Sequence, residues 1–205
     1  YMYMFPAPAP TPTDEFHIHA DFAVFINGEK FDFAQEKYMS ESTGHKLSPY
    51  VHLHDLDGNI IHVHAPNVTL GNFFESLGMR LRTTTDEISF TFDDGTMYSS
   101  PRYGCYSPQE GQPEVCVDPA PDANRLAVYI NGEPFFGKAE SYVMKDLDRI
   151  LITFGKINEV DPNEEFTHVT DNACIQSGAC PERGEPGDES TCTTAGGCSA
   201  GPIAT

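Results

Sequence analysis

Alternation of apolar and polar side chains in several short runs is the feature that most constrains how this chain can fold. Residues 16–26 read FHIHADFAVFI and alternate with a period of two residues, which is typical of a β-strand with one buried face. Asn27-Gly28 comes next, and this dipeptide favours a type I′ hairpin turn into a returning strand at 29–33. The predicted core face of the first strand comprises Phe16, Ile18, Ala20, Phe22, Val24 and Ile26.

Further hairpins and one short helix are predicted along the chain. Residues 50–64 alternate in the same way and predict a second hairpin, and EISFTF and TMYSS around DDG predict a third. The run TLGNFFESLG has apolar residues at helical spacing, with Thr69 as the expected N-cap and Gly78 as the expected C-cap. We therefore predict an α+β fold of mostly antiparallel β-structure that resembles a β-grasp-like unit.

The chain also repeats itself. AVFINGEKF at 23–31 returns as AVYINGEPF at 127–135, and HDLDGNIIHV at 54–63 is echoed by KDLDRILIT at 145–153. Two matched segments in the same order predict a partly degenerate second copy of the unit. The second copy has none of the paired histidines, so those histidines are not needed to form the hairpins.

Five segments are predicted from these patterns. PAPAPTPT is a stiff polyproline-type spacer, and the five apolar residues before it are too few to cross a bilayer, so we expect no membrane insertion by this chain. The apolar start is interpreted either as the new N-terminus left by removal of a signal peptide or as the remainder of a membrane anchor. The segments are a Pro-rich N-terminal arm or linker (1–15), a His-rich β-grasp-like domain (16–98), a disulfide-closed loop (99–124), a second hairpin repeat without His (125–155) and a Cys-rich, disulfide-tied tail (156–205).

The cysteines predict disulfides and an extracytoplasmic location. None of their spacings gives C-x-x-C, and they lie in segments rich in Gly, Pro and Ser, where cross-links substitute for a core. Cys105 with Cys116 is the favoured pair, and the pairing among the four tail cysteines stays open. The six predicted disulfide cysteines are Cys105, Cys116, Cys174, Cys180, Cys192 and Cys198.

The charge of the chain argues against nucleic acid as a partner. It has 31 acidic and 12 basic residues, and its formal net charge is -19. Such a surface repels phosphate backbones and anionic lipid head groups.

Six histidines form three His-x-His pairs, two of them within the second predicted hairpin. A two-residue Asp57-Gly58 turn would place those two pairs on opposite faces. A three-residue loop, Leu56-Asp57-Gly58 with Gly58 left-handed, pairs His52 with His62 and keeps all four rings together. Hydrophobic patterning favours the second register, because it buries the apolar partners as one sheet face.

Histidines on one sheet face predict a transition-metal site. Neutral imidazole is a ligand for zinc and copper, and two rings two residues apart on a strand can converge on one ion. Asp21 and Asp55 are candidates either to ligate or to hold a ring through its second nitrogen. We predict one or two copper or zinc ions per chain, held by His17, His19, His52, His54, His62, His64 and Asp21. A pH-sensing histidine cluster without metal is the alternative.

Two resemblances accompany these residues. The His-x-His usage resembles the strand-borne zinc ligands of carbonic anhydrases and the paired ligands of multicopper oxidases, which implies a ligand set and no activity. The runs HADFAVFINGEKFDF, HLHDLDGNIIHVHAPNVTLGNFFESLG, KDLDRILITFG and ACIQSGACPERG resemble a family of His-rich, disulfide-containing, anchored or secreted extracytoplasmic prokaryotic proteins. This resemblance implies a surface location.

The function predicted from the sequence is metal binding at the cell surface or outside the cell. The first alternative is a subunit of an extracellular filament or surface assembly, in which the N-terminal arm contacts neighbouring copies of the chain and metal and disulfides are structural. The second alternative is a zinc or copper enzyme, which needs an open coordination position and a general base. We rank it last, because Asp21 is the only base that we can place near the histidines.

Overall fold

The structure is a computed structural model that describes residues 16–40, 47–106, 115–120, 122–186, 192–193 and 197–198. The N-terminal arm, and with it the filament interpretation, lies outside the described residues. The strands are β1 Ile18–Ile26, β2 Glu29–Lys30, β3 Val51–His52, β4 Ile60–Val63, β5 Arg80–Thr83, β6 Glu87–Thr91, β7 Met97–Pro101, β8 Gly104–Tyr106, β9 Val115–Val117, β10 Asn124–Ile130, β11 Glu133–Pro134, β12 Arg149–Lys156, β13 Cys192–Thr193 and β14 Gly197–Cys198. The α-helices are α1 Leu70–Ser76, α2 Pro162–Phe166 and α3 Ala173–Gln176, and 3₁₀ turns lie at Glu36–Tyr38, Ala139–Ser141 and Pro181–Arg183.

A mixed sheet forms the centre of the fold. Its strand order is β11-β10-β12-β1-β4-β3, and β2 also pairs with β1. The central pair, β1 and β12, runs parallel, whereas β1 with β4, β4 with β3 and β10 with β12 are antiparallel. A separate antiparallel sheet has the order β5-β6-β7. The predicted α+β class with mostly antiparallel strands is confirmed, and the β-grasp-like description stays a prediction.

The main core forms on the predicted apolar face of β1. Ala20, Phe22 and Val24 on that face are at most 1% exposed. The Phe22 ring packs edge-on against Phe73 of α1 at a centroid distance of 5.0 Å. The same core cluster includes apolar residues of β5 and β6, so α1 and the second sheet share this face of the main sheet. Edge-to-face contacts of this kind add to the gain from burying apolar area.

Helix α1 begins where the sequence predicts and ends one residue earlier, because its C-cap is Leu77 and not Gly78. The Thr69 side chain accepts a hydrogen bond from the Asn72 N–H at 3.2 Å, and the Asn72 side-chain oxygen accepts one from the Thr69 N–H at 3.0 Å. This reciprocal cap satisfies two N–H groups that the first helical turn leaves without partners. Gly78 lies just after the last turn with a φ of +75°, a conformation that glycine adopts without steric cost.

The two Asn-Gly turns have the predicted geometry. Asn27 and Gly28 have φ values of 53° and 81°, and Asn131 and Gly132 have values of 54° and 86°. Positive φ at both central residues is what a type I′ turn requires. The returning strands are shorter than predicted, because β2 and β11 pair over two residues each.

The second hairpin has the predicted register but a different turn. His52 pairs with His62 across β3 and β4, as the burial argument predicts. The left-handed conformation predicted for Gly58 is wrong, because Asp55 and Leu56 take the positive φ values, both 56°. Gly58 instead packs against the chain, where a Cβ atom would lie 2.4 Å from the Ala34 nitrogen. Tertiary packing therefore moves the turn away from the Asp-Gly dipeptide.

The repeated Asp-Leu-Asp segments both form turns, but the first aspartate has a φ of 56° at Asp55 and no positive φ at Asp146. In the first copy Leu56 has a φ of 56°, and in the second copy Leu147 has a φ of 67°. The N–H of the second aspartate closes each turn, from Asp57 to the His54 carbonyl at 3.0 Å and from Asp148 to the Lys145 carbonyl at 3.2 Å. The sequence repeat thus corresponds to two turns that share a closing hydrogen bond and a leucine with positive φ.

The structure contains the Cys174–Cys180 disulfide, with a Cα–Cα distance of 5.4 Å. Cys116 is disulfide-bonded and lies opposite Cys105 in the register of β8 and β9. Cys192 lies opposite Cys198 in the register of β13 and β14. A disulfide within the chain indicates an oxidising environment. Among the helices of the described segments, none combines the length and the apolar character needed to cross a membrane.

Candidate metal centre

Three neighbouring strands bring the histidine pairs onto one side of the main sheet. β4 lies between β1 and β3, and its residue His62 is the register partner of His19 on β1 and of His52 on β3. Residues directly opposite each other on neighbouring strands point to the same face. His19, His62 and His52 therefore form a row across the sheet.

The six imidazole rings form one connected cluster. Their centroid distances run 3.8, 4.7, 4.4, 4.4, 4.8 and 5.9 Å in the circuit His54, His62, His19, His17, His64, His52 and back to His54. The circuit contains two stacked contacts, His17 on His64 and His52 on His64. The sequence prediction that these rings share a face agrees with these contacts.

Three of the rings form a group that could hold a metal ion. One nitrogen of each of His17, His19 and His62 lies within 4.8 Å of the other two. Zinc bound to imidazole at about 2.0–2.1 Å needs ligand nitrogens about 3.4 Å apart in tetrahedral geometry, so small side-chain rotations suffice. His19 and His62 are each 2% exposed, whereas His17 is at the surface. An ion here would have buried ligands on one side and solvent access on the other.

Hydrogen bonds through His54 define which nitrogen of His62 is basic. The Asp55 carboxylate can only accept, so His54 Nδ1–H donates to Asp55 Oδ2 across 2.8 Å. In neutral His54 the other nitrogen, Nε2, then accepts from His62 Nδ1–H at 3.1 Å. His62 therefore has its lone pair at Nε2. Histidine ligands in metal sites are commonly held through their second nitrogen in this way.

A second chain of hydrogen bonds does the same for His19. The Ser177 hydroxyl donates to Asp146 Oδ1 at 2.6 Å, so its oxygen accepts from His19 Nδ1–H at 2.8 Å. The same Asp146 oxygen accepts from the His19 backbone N–H at 3.0 Å. His19 is thus fixed at both its backbone and its ring, with Nε2 as its basic nitrogen.

Burial keeps one ring of the cluster, His52, neutral. The pKa of His52 lies well below its ordinary value of 6.5, first because burial disfavours the charged ring and then because His64, His62 and His54 surround it. Metal ligation requires neutral imidazole. A neutral His52 at physiological pH is also the opposite of what a pH sensor near pH 6.5 would need.

Asp21 lies on β1 with His19, but its carboxylate binds other groups. Its carboxylate is 1% exposed and accepts hydrogen bonds from the Thr170 hydroxyl, from the Asn172 N–H at 3.0 Å and from the Ala173 N–H at 2.9 Å. These bonds attach the segment before α3 to the sheet. A direct ligand role for Asp21 stays a prediction, and the three-histidine group does not include it.

Sequence reasoning missed two residues of the site, Ser177 and Asp146. Ser177 is 158 positions from His19, and no local pattern connects them. Asp146 had a signal in the repeat, because it aligns with Asp55, which the sequence did single out. Both aspartates support a histidine ring, Asp55 directly and Asp146 through Ser177.

Comparison of the chain with protein-family models, with curated proteins and with solved structures finds no match.

Proposed function

We propose that this protein binds a copper or zinc ion outside the cytoplasm, through His17, His19 and His62. The observation that carries the proposal is the group of three imidazole nitrogens within 4.8 Å of one another, two of them on buried rings. Three neutral imidazoles are a ligand set for both zinc and copper, and a fourth position is open toward solvent at His17.

The surrounding residues support binding over a passive cluster. His62 and His19 are each held at Nδ1, through His54 and Ser177, so that both present Nε2. Fixing rings before the ion arrives reduces the conformational entropy that binding would otherwise cost. The remaining rings contact this group: His54 and His52 lie against His62, and His64 stacks on His17.

The extracytoplasmic part of the proposal rests on the Cys174–Cys180 disulfide. Disulfides persist in oxidising compartments and are rare in the cytosol. An ion at such a location is exchanged with the surroundings of the cell, which fits a capture or storage role.

Metal analysis of the full chain, purified without a histidine tag, tests the proposal. We expect one zinc or copper ion per chain at saturation, and the ion should raise the free energy of unfolding by about 2.7 kcal/mol at a free concentration one hundred times the Kd. His62→Ala should abolish both effects. His168→Ala, which alters an exposed histidine away from the cluster, is the matched control. Wild-type protein that takes up neither metal, or His62→Ala protein that binds as well as wild type, would refute the proposal.

A further inference from the structure

The Cys174–Cys180 disulfide closes a short loop that carries Ser177. The Ser177 N–H donates to the carbonyl of Ala173, the residue just before the loop, at 2.9 Å, and within the loop the Ala179 N–H donates to the Cys174 carbonyl at 2.8 Å. α3 has only four residues, and a helix of that length does not persist by itself in water. The cross-link and the contacts at either end of the loop therefore determine where Ser177 lies.

Two aspartates near His19, Asp21 and Asp146, bind the segment that contains this loop. Asp21 accepts the N–H groups of Asn172 and Ala173 on the N-terminal side of the loop. Asp146 accepts the Ser177 hydroxyl further along it. The disulfide joins Cys174 to Cys180 around Ser177, and Ser177 contacts the His19 ring.

We propose that the redox state of this disulfide regulates the affinity of the metal centre, an inference that rests on the proposed function. With the disulfide closed, Ser177 holds His19 Nδ1–H and leaves Nε2 as the ligand nitrogen. With the disulfide reduced, the loop gains many conformations and Ser177 leaves its position. His19 then loses this partner, its two neutral tautomers both become populated, and the three nitrogens are no longer pre-arranged.

The chemistry of the switch is thiol–disulfide exchange with a dithiol reductant. A thiolate of the reductant attacks one sulfur and expels the other as a thiolate, and its second thiol then closes a cyclic disulfide and releases the remaining cysteine. Two electrons and two protons pass from the dithiol to Cys174 and Cys180. Arg183 donates to Cys174 Sγ at 3.2 Å, and a guanidinium at that distance stabilises a thiolate there. Cys174 is half-buried, so reagents can reach the bond.

Zinc affinity of four variants of the full, tag-free chain tests the inference. Cys174→Ser with Cys180→Ser leaves the loop permanently open without adding thiol ligands, and Ser177→Ala keeps it closed but removes the hydroxyl. Both should bind Zn²⁺ about 10–100-fold more weakly than wild type, the usual cost of losing a hydrogen-bond partner of a ligand. Ser177→Thr retains the hydroxyl and should recover most of the affinity. Ser99→Ala, an alteration of a serine in β7 away from the site, is the control and should bind as wild type.

A second measurement separates positioning from general destabilisation. The ¹⁵N chemical shifts of the His19 ring in metal-free protein should report Nδ1–H in wild type and in Ser177→Thr, and a mixture of tautomers in Ser177→Ala and in the open-loop variant. If the open-loop variant does not fold, wild type measured with and without a dithiol reductant takes its place, and equal zinc affinity in the two samples refutes the regulation.

The outcomes distinguish the two proposals. If wild type binds zinc and the open-loop and Ser177→Ala variants bind it equally well, the regulation is refuted and the metal-binding function stands. If wild type binds neither zinc nor copper, both proposals fail.

Discussion

Asp21→Asn should detach the segment that leads into α3 from the sheet. The Asp21 carboxylate accepts three hydrogen bonds, two of them from backbone N–H groups, and it is 1% exposed. In the amide variant one oxygen becomes an NH₂ group, so at least one donor among Thr170, Asn172 and Ala173 meets another donor. The remaining bonds lose the strength that the negative charge gives them.

The magnitude can be worked out from these contacts. An orphaned buried donor costs about 1–3 kcal/mol, and each bond that changes from charged to neutral loses about 1 kcal/mol. Relief of the burial of a charge offsets part of this sum. We therefore expect the free energy of unfolding to fall by about 2–4 kcal/mol, which for a chain of this size lowers the Tm by about 5–15 °C.

Thermal unfolding and hydrogen exchange measure the two parts of the effect. Calorimetry gives the Tm, and exchange in peptides covering 170–180 should rise before exchange in β1 and β12 does. Zinc affinity should fall along with protection of this segment, because Ser177 lies in it. Asp86→Asn makes the same charge change at an exposed site and should alter stability by less than about 0.5 kcal/mol.

One result would refute this reasoning about Asp21. If Asp21→Asn abolishes zinc binding while the Tm and the exchange of 170–180 stay as in wild type, Asp21 is a metal ligand and not the anchor of the segment. That outcome would restore the ligand role that the sequence predicts for it.

Three further predictions address other parts of the structure. His54→Ala should weaken zinc binding by about 10–100-fold at unchanged stoichiometry in a competition titration, because it removes the partner of His62 and no member of the three-histidine group. Burial raises the pKa of Glu165 above its ordinary value of 4.5. The folded state therefore keeps this proton to higher pH than the unfolded state does, and it loses stability as the pH rises above 4.5. Glu165→Gln should raise the Tm at pH 7 but not at pH 4. Gly58→Ala should lower the free energy of unfolding by about 1–3 kcal/mol in urea titrations, because its Cβ would lie 2.4 Å from a backbone nitrogen, and an unchanged midpoint would contradict the close packing.

The sequence predicts much of the fold because alternation and burial specify strands and their register. The predicted pairing of His52 with His62 follows from requiring four apolar residues to share a buried face. The structure has this pairing, and the four residues, Val51, Leu53, Ile61 and Val63, are at most 1% exposed. The predicted Leu56-Asp57-Gly58 turn is wrong at Gly58, because local preference places the left-handed conformation at the glycine and the structure places it at Asp55 and Leu56. In the structure the Asp57 carboxylate accepts the Asn59 N–H at 2.8 Å instead, and Gly58 is needed for a close backbone contact.

One part of the candidate site could likewise be predicted from the sequence, and another part could not. Its histidines lie on or directly beside strands that pair as neighbours, so their meeting could be predicted from period and register. The parallel pairing of β1 with β12 and the folding of the segment around Ser177 onto β1 depend on contacts between residues far apart in sequence. No local pattern encodes such contacts, and they supply the groups that orient His19.

The duplication explains why a copy without histidines still contributes to the site. Each copy contains an Asp-Leu-Asp turn, and the first aspartate of each turn supports an imidazole of the cluster, Asp55 for His54 and Asp146 for His19. Because β1 of the first copy lies directly beside β12 of the second, the second turn comes within reach of the first copy's histidine. The Leu147 N–H donates to the His19 carbonyl at 2.8 Å, which fixes that turn against β1. One histidine of the cluster therefore has its partner in the first repeated segment, and another is reached through Ser177 from the second.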